Sequence, residues 1–371
     1  MKVLSKFFVI SIFLFTGINC KPKQDNPEIP EVPETPEIVI LPESLTLEKE
    51  ISNYDISVTS NVAWTVSSAQ DWCTVSPTSG SATETQLKIS VKYNYSGANR
   101  TATLTFQSGT YSKEYSVVQK SFDVNTPTGY ALVWNDEFVS DAGKSGLPDT
   151  EKWSYETGHG DWGWGNNEIQ NYVAGVSGVD TCALVSNGTL KIVARKKGNE
   201  VISIRMNTTD DWLYGYFEAR LKLPQGKGTW PAMWLLPRAL TLWPDDGEID
   251  VMEEVGFNPN VVSSAIHCKA YNHTLGTQKV AEKFVATAES DFHIYALEWT
   301  SDFIRGYVDG EKYFEFPNDK TGNKDTWPFN TPFYLKFNLA WGGNWGGAQG
   351  VDESKLPATY EIDYVRVFQK K

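Results

Sequence analysis

The sequence predicts an all-β protein: an immunoglobulin-like β-sandwich followed by one large sandwich or jelly roll. Three observations carry this. Residues 38–122 hold no plausible helix, only short alternating runs broken by turn residues. From Tyr130 to the end, about 240 residues, strand patterns continue with little helix. A P-loop and a G-x-S-x-G elbow are missing from the sequence, and no Rossmann fingerprint opens a helix. A chain of 371 residues is long for one domain, which also favours two.

Residues 1–20 read MKVLSKFFVISIFLFTGINC. Lys2 and Lys6 precede a short apolar run from Phe7 to Phe15, too short to span a bilayer, so the segment reads as a signal peptide. It closes at Cys20 and resembles a bacterial lipoprotein signal, in which Cys20 would be lipidated and become the first mature residue. Ile18 and Asn19 depart from the small pair such signals usually carry. Residues 21–37 follow as a Pro/Glu-rich linker, with Pro27, Pro30, Pro33 and Pro36 at every third position. Such a segment packs no core and stays extended. Tether and spacer together lead to an exported protein, an outer-membrane lipoprotein at the cell surface or in the periplasm, or otherwise a secreted one.

Residues 38–122 carry SLTLEKE, ISVTS, AWTVSS, TQLKISVKY, TATLTFQSG and EYSVVQK, six or seven strands of a small sandwich. Trp64 and Trp72 are expected near its core or rim. The stretches NVAWTVSS, DWCTVSPTSG, NYSGANRTATLTF and SVVQ resemble a BACON domain, a module of secreted proteins in Bacteroidetes-type bacteria. The resemblance covers the segment, and the family name implies carbohydrate association, although a spacer is the role expected here over a working sugar-binding module. Residues 123–129 read as a second linker.

In the large region, 130–371, YGYFEARLKL puts Phe217, Ala219, Leu221 and Leu223 on one face and Glu218, Arg220 and Lys222 on the other. Asp309-Gly310 marks a tight hairpin turn inside FIRGYVDGEKYFEF.

Composition narrows the partner. The net charge is −13 with no basic stretch, against nucleic acid and in favour of a neutral polymer. The 14 Trp suit sugar platforms, although core packing explains any single one. The four Cys include no C-x-x-C and the four His no close metal spacing, so a zinc enzyme is not expected. A disulfide between two of Cys73, Cys182 and Cys268 stays open.

The segment GEIDVMEEVG, residues 247–256, places four carboxylates among strand-forming apolar residues. Glu248, Asp250 and Glu254 share a parity, with Glu253 out of step. A β-bulge at Val251-Met252 would turn Glu253 onto the acidic face instead. Crowded carboxylates cannot all ionise cheaply, so one holds its proton near neutrality. That is what a glycosidase needs, one carboxylate to attack and one acid to protonate the leaving oxygen. The competing readings are a calcium site and a solvated edge strand. Calcium loops favour Gly spacers over Ile, Val and Met.

GEIDVMEEVG resembles the signature of glycoside hydrolase family 16 in its laminarinase-like, bulged form. LVWNDEF, GNNEIQNY, NGTLKIVARK, YGYFEARLKLPQGKGTWPAMWLLP, IHCKAYNHTLGTQ, LAWGGNWGG and YEIDYVRVFQ extend the resemblance over Tyr130 to Phe368. It implies a concanavalin-like β-jelly roll of two curved sheets with an open cleft. It also implies endo-acting, retaining hydrolysis of β-1,3-glucan or mixed-linkage β-1,3-1,4-glucan. Glu248 would be the nucleophile, Glu253 the general acid/base, and Asp250 the group between them that sets their pKa values. Glu254 would be a rim or structural residue. Trp230 and Trp234 would form sugar platforms, Asn166 and Arg205 would bond glucose hydroxyls, and His267 would lie near the acid/base. No catalytic cofactor is implied. A structural calcium on the convex face would be held by Glu137, Gly188 and Asp363. Trp341 and Trp345 would shape the cleft. A tethered monomer is the expected state. The alternatives are a non-catalytic glucan-binding protein, a transglycosylase, and a hydrolase of another polymer such as agarose, carrageenan or xyloglucan.

Overall fold

A computed structural model describes residues 35–94, 97–122, 124–139 and 146–371. Cys20, the signal segment and most of the 21–37 linker lie outside the described residues.

The amino-terminal sheets pack face to face around their own core. One has four strands, Ile38–Leu41, Ser52–Ser60, Glu84–Val91 and Cys73–Ser76 in spatial order. The other has five and is centred on the Arg100–Ser108 and Tyr111–Gln119 hairpin. Alternation explains them, as Ile56, Val58, Leu87, Ile89, Ala102, Leu104 and Phe106 all turn inward. Trp64 fills the centre against Phe106, with ring centroids 5.3 Å apart. A Cβ on Gly80 would stand 2.4 Å from the Trp64 ring, so glycine is required there. Trp72 is half-buried under the Arg100 guanidinium, 4.2 Å from its ring centre.

The large unit stacks two sheets. The first has seven strands: β1 (Trp153–Glu156), β2 (Arg205–Thr208), β3 (Thr229–Pro237), β4 (Glu248–Glu254), β5 (Val261–His267), β6 (Lys279–Phe284) and β7 (Phe333–Trp341). Their spatial order is β1-β2-β7-β3-β4-β5-β6. The second sheet, ten-stranded, is built around the carboxy-terminal strand Ala358–Lys370, which pairs with Gly215–Lys222, Thr189–Lys197 and Tyr130–Asp136. Phe217, Ala219 and Leu221 enter the core between the sheets, as their parity predicts. The strands Phe303–Val308 and Glu311–Pro317 turn at Asp309 (φ 49°) and Gly310 (φ 79°), the left-handed pair that a two-residue hairpin demands.

One open question closes here, and two expectations need correction. Cys73, Cys182 and Cys268 are all buried thiols, so no disulfide links them. Trp341 is fully buried in the core and does not shape the cleft. On β7 the odd positions Phe333, Leu335, Phe337, Leu339 and Trp341 all face inward. Trp345 lies nearer the cleft, edge-on to Trp230 with centroids 5.5 Å apart.

The calcium set does not fit that ion. Glu137 is nearly buried, and both its oxygens accept from Arg366 at 3.0 Å. Asp363 accepts from Arg220 at 2.6 Å. Gly188 occupies a left-handed hairpin turn (φ 76°) after Ala183–Ser186. Calcium wants several converging oxygens, but here each carboxylate is neutralised by a different guanidinium. Arg366 also reaches Glu218 at 3.9 Å.

Candidate active site

The site grows from the register of β4. Against β5, Glu248 pairs with His267, Asp250 with Ala265 and Glu253 with Ser263. Three residues on β4 therefore span what two span on β5. The bulge falls at Val251-Met252, and both side chains are fully buried. Glu248, Asp250 and Glu253 consequently share the face turned away from the core. Glu254, the residue after Glu253, is thrown into the core and is fully buried rather than on the rim. Its Oε1 accepts from the Asn260 backbone N–H at 2.7 Å.

Each candidate carboxyl has a different anchor. The Trp230 indole donates to Glu253 Oε1 at 3.0 Å. The Trp243 indole donates to Glu248 Oε2 at 3.2 Å. His267 Nε2 lies 3.3 Å from Asp250 Oδ2 and 4.0 Å from Glu248 Oε1. The 3.3 Å contact is close enough for an ion pair but not aligned as a hydrogen bond, since Asp250 Oδ2 has no hydrogen-bond partner. Ligand atoms of Glu248, Asp250 and His267 fall within 4.8 Å of one another. His267 also meets His273 edge-on at 5.3 Å, and His273 packs on Trp243 at 5.1 Å.

Burial lifts all three carboxyls, each to about 8. The Asp250 charge adds to the rise at Glu248 and Glu253. His267 and Arg205 pull Glu248 back, whereas the Trp230 donor and His267 oppose the rise at Glu253. Of the two glutamates, Glu248 thus faces more compensating positive charge.

The same face continues across β3, β7, β2 and β1. Trp234 opposes Asp250 on one side and Lys336 on the other. Arg205 opposes Asn338 and Glu156. The Arg205 guanidinium is sandwiched between Trp164 (4.4 Å) and Trp234 (4.8 Å), and its Nε donates to Glu156. The Trp234 indole donates to Asn338 Oδ1 at 2.7 Å. Trp230 and Trp234 are both half-exposed, as sugar platforms must be.

The loop before residue 168 closes this side. Trp162, Trp164 and Asn167 adopt left-handed backbone with φ between 54° and 56°, interleaved with Gly163 and Gly165. The half-buried Asn166 donates to Glu168 Oε1 at 3.5 Å, and its carbonyl accepts from the Asn344 N–H at 2.7 Å. Glu168 is nearly buried, and its Oε2 accepts from Gln170 (2.8 Å) and Tyr172 (3.0 Å). Burial raises its carboxyl, against the pull of Arg205.

Every candidate sugar contact expected from the sequence, namely Trp230, Trp234, Asn166, Arg205 and His267, therefore falls on or beside one face of one sheet. Sequence reasoning missed Trp243, Trp164, Glu156, Glu168 and Lys336. Trp164 and Glu168 stand in the GWGNNE run beside Asn166 and could have been found there. Lys336 gave no signal, because a lysine in a strand ordinarily reads as solvated.

Known proteins resemble this chain in sequence and fold. The profile of Glycosyl hydrolases family 16 matches residues 170–366, more than half of the chain. The chain belongs to glycosyl hydrolases family 16. BACON matches residues 62–120 of this family 16 enzyme. A β-glucanase of Rhodothermus marinus is 48% identical over 253 residues, 65% of this chain and 85% of that protein. The X-ray structure of a laminarinase from Rhodothermus marinus superposes with a TM-score of 0.60 at 46% identity, covering 65% of this chain and 98% of that one. SCLam, a non-specific endo-β-1,3(4)-glucanase, gives 0.61 at 45% identity, with 67% and 94% covered. A variant of SCLam holds 1,3-β-D-cellobiosyl-glucose at its active site.

Proposed function

We propose that this family 16 hydrolase is an endo-acting, retaining β-glucanase that cleaves β-1,3-glucan, mixed-linkage β-1,3-1,4-glucan or both. The observation that carries the reading is the bulge that gathers Glu248, Asp250 and Glu253 on one face, each carboxyl with its own anchor.

In this reading Glu248 reacts as the carboxylate. The Arg205 charge favours its ionised form, His267 Nε2 stands 4.0 Å from its Oε1, and the Trp243 indole orients the other oxygen. Its free oxygen attacks the anomeric carbon while Glu253 gives its proton to the glycosidic oxygen. The carbon–oxygen bond breaks, the leaving chain departs as an alcohol, and a glycosyl ester on Glu248 remains. Glu253, now a carboxylate, takes a proton from water, the water oxygen attacks the same carbon, and Glu248 is released. Burial keeps Glu253 protonated, the Asp250 charge adds to this once Asp250 ionises, and Asp250 links the pair to His267.

A neutral chain suits the cleft face. Its cations Arg205 and Lys336 share the Glu156 carboxylate, and the carboxyls of Glu168, Glu248, Asp250 and Glu253 beside them disfavour sulfate groups. Similarity to the Rhodothermus marinus β-glucanase and to SCLam supports the linkage class. We assign export through residues 1–20 with lipidation at Cys20, an outer-membrane position facing the surface or periplasm, and a monomeric state, on the sequence features alone.

The test is reducing-end release from laminarin, cereal mixed-linkage glucan, agarose, carrageenan and xyloglucan, with Glu248→Gln alongside. Release from either of the first two, lost in the variant, is expected. Activity confined to another polymer would overturn the substrate, and silence throughout from folded protein would favour a binding role.

A further inference from the structure

We propose that Lys336 is a positioning residue for the sugar-binding face: it fixes Glu156, and through Glu156 the guanidinium of Arg205, beside the Trp234 platform. The inference rests on the glucanase reading above.

Lys336 is fully buried in the middle of β7, flanked across the sheet by Trp234 and Asn207. Its Nζ donates to Glu156 Oε2 at 2.7 Å and to Asn207 Oδ1 at 2.7 Å. It also lies 5.0 Å from the ring centres of Trp234 and Tyr334. Burying an ammonium is costly, and an apolar side chain of similar volume generally serves stability as well or better. Stability alone therefore does not account for this lysine.

Its contacts define a shared anchor. Glu156 Oε2 is the acceptor for both Arg205 Nε and Lys336 Nζ. One carboxylate oxygen thus holds two cations, and those cations flank the Trp234 ring at 4.8 Å and 5.0 Å. Without Lys336, Glu156 loses one of two restraints, Arg205 can swing with it, and Trp234 loses a contact on one side. None of these groups carries the reacting bond, so the effect belongs in binding rather than in the chemical step.

The charged and titratable groups facing Lys336 are Glu156 on β1, Arg205 on β2, Tyr334 on its own strand and, at longer range, Glu248 on β4. Burial, then the like charge of Arg205, bring its ammonium down to about 7, against the pull of Glu156. The cation is present below that pH and is lost above it, so its grip on Glu156 weakens as pH rises.

The experiment is kcat and KM on laminarin for wild type and Lys336→Met across neutrality, with melting curves for both. At about pH 6 the variant should show KM raised roughly tenfold, with kcat within about threefold of wild type. Wild-type KM should climb as pH passes 7, and the variant's KM should stay flat there. Unchanged KM in the variant, or a variant that keeps the wild-type climb, would overturn the proposal. Should the variant fail to fold, a wild-type KM that stays flat through neutrality overturns it as well. A wild type that leaves laminarin uncut fails the glucanase reading instead, which separates the two failures.

Discussion

Glu248 and Glu253 stand five positions apart on one strand and still face the same side of their sheet, because Val251 and Met252 both point into the core. Regular alternation would have put them on opposite faces. The bulge is thus the structural condition for a two-carboxylate site, and the anchors on each acid make its protonation adjustable from outside.

Removing one negative charge should move the working range toward acid. The Asp250 charge helps raise both Glu248 and Glu253. In Asp250→Asn the alkaline limb of kcat/KM should therefore shift to lower pH, and kcat should fall by roughly a hundredfold or more. An alkaline limb left in place would show that Asp250 does not tune the pair.

Removing a donor should act the other way. The Trp230 indole N–H favours the ionised form of Glu253. Trp230→Phe keeps an aromatic ring and loses that bond, so the alkaline limb should move up. The pH–rate profile decides, and a downward shift would contradict the assigned contact.

Glu254 predicts a pH-dependent stability unrelated to catalysis. Its carboxyl is raised from 4.5 to about 8, first by burial and then by the charge of Glu289. A raised carboxyl contributes its full stability below 4.5 and loses it as pH climbs through about 8. Glu254→Gln keeps an acceptor for the Asn260 N–H and cannot ionise. Its unfolding free energy should gain on wild type as pH rises over that interval, by roughly a few kcal/mol at the alkaline end, read from denaturant or melting curves. A difference between the two proteins that ignores pH would contradict this.

The outer sheet should hold without calcium. Chelation is expected to leave the melting temperature unchanged, whereas Glu137→Gln should cost roughly 3–5 kcal/mol by leaving the nearly buried Arg366 without its main partner. A fall on chelation that added calcium reverses would reinstate the ion.

Much of this site was legible because its pattern is local. The six residues Glu248 to Glu253 of β4 carry the parity break, and TWPAMW shows two tryptophans four positions apart that strand alternation puts on one face. The consequence of the bulge for Glu254 was equally local and was not carried through, since a register shift that brings Glu253 out must turn Glu254 in. Trp341 was misplaced although the alternation of β7 sets it with Phe333, Leu335, Phe337 and Leu339, an apolar parity that marks the core face, and apart from Tyr334, Lys336, Asn338 and Ala340. Lys336 and Glu156 come from strands 180 positions apart, and nothing in the sequence announces that they share a hydrogen bond. The calcium set failed for a similar reason, because Arg366 and Arg220 reach its carboxylates from distant or adjacent strands.

The account turns on which glutamate attacks. Azide rescue of Glu248→Ala and Glu253→Ala on an activated aryl β-laminaribioside reads this directly through the configuration of the glycosyl azide. Without its nucleophile, Glu248→Ala should give the inverted α-azide by direct displacement. Glu253→Ala should still form the glycosyl ester and give the retained β-azide. The opposite pairing of variant and product, or β-azide from Glu248→Ala, would contradict the assignment.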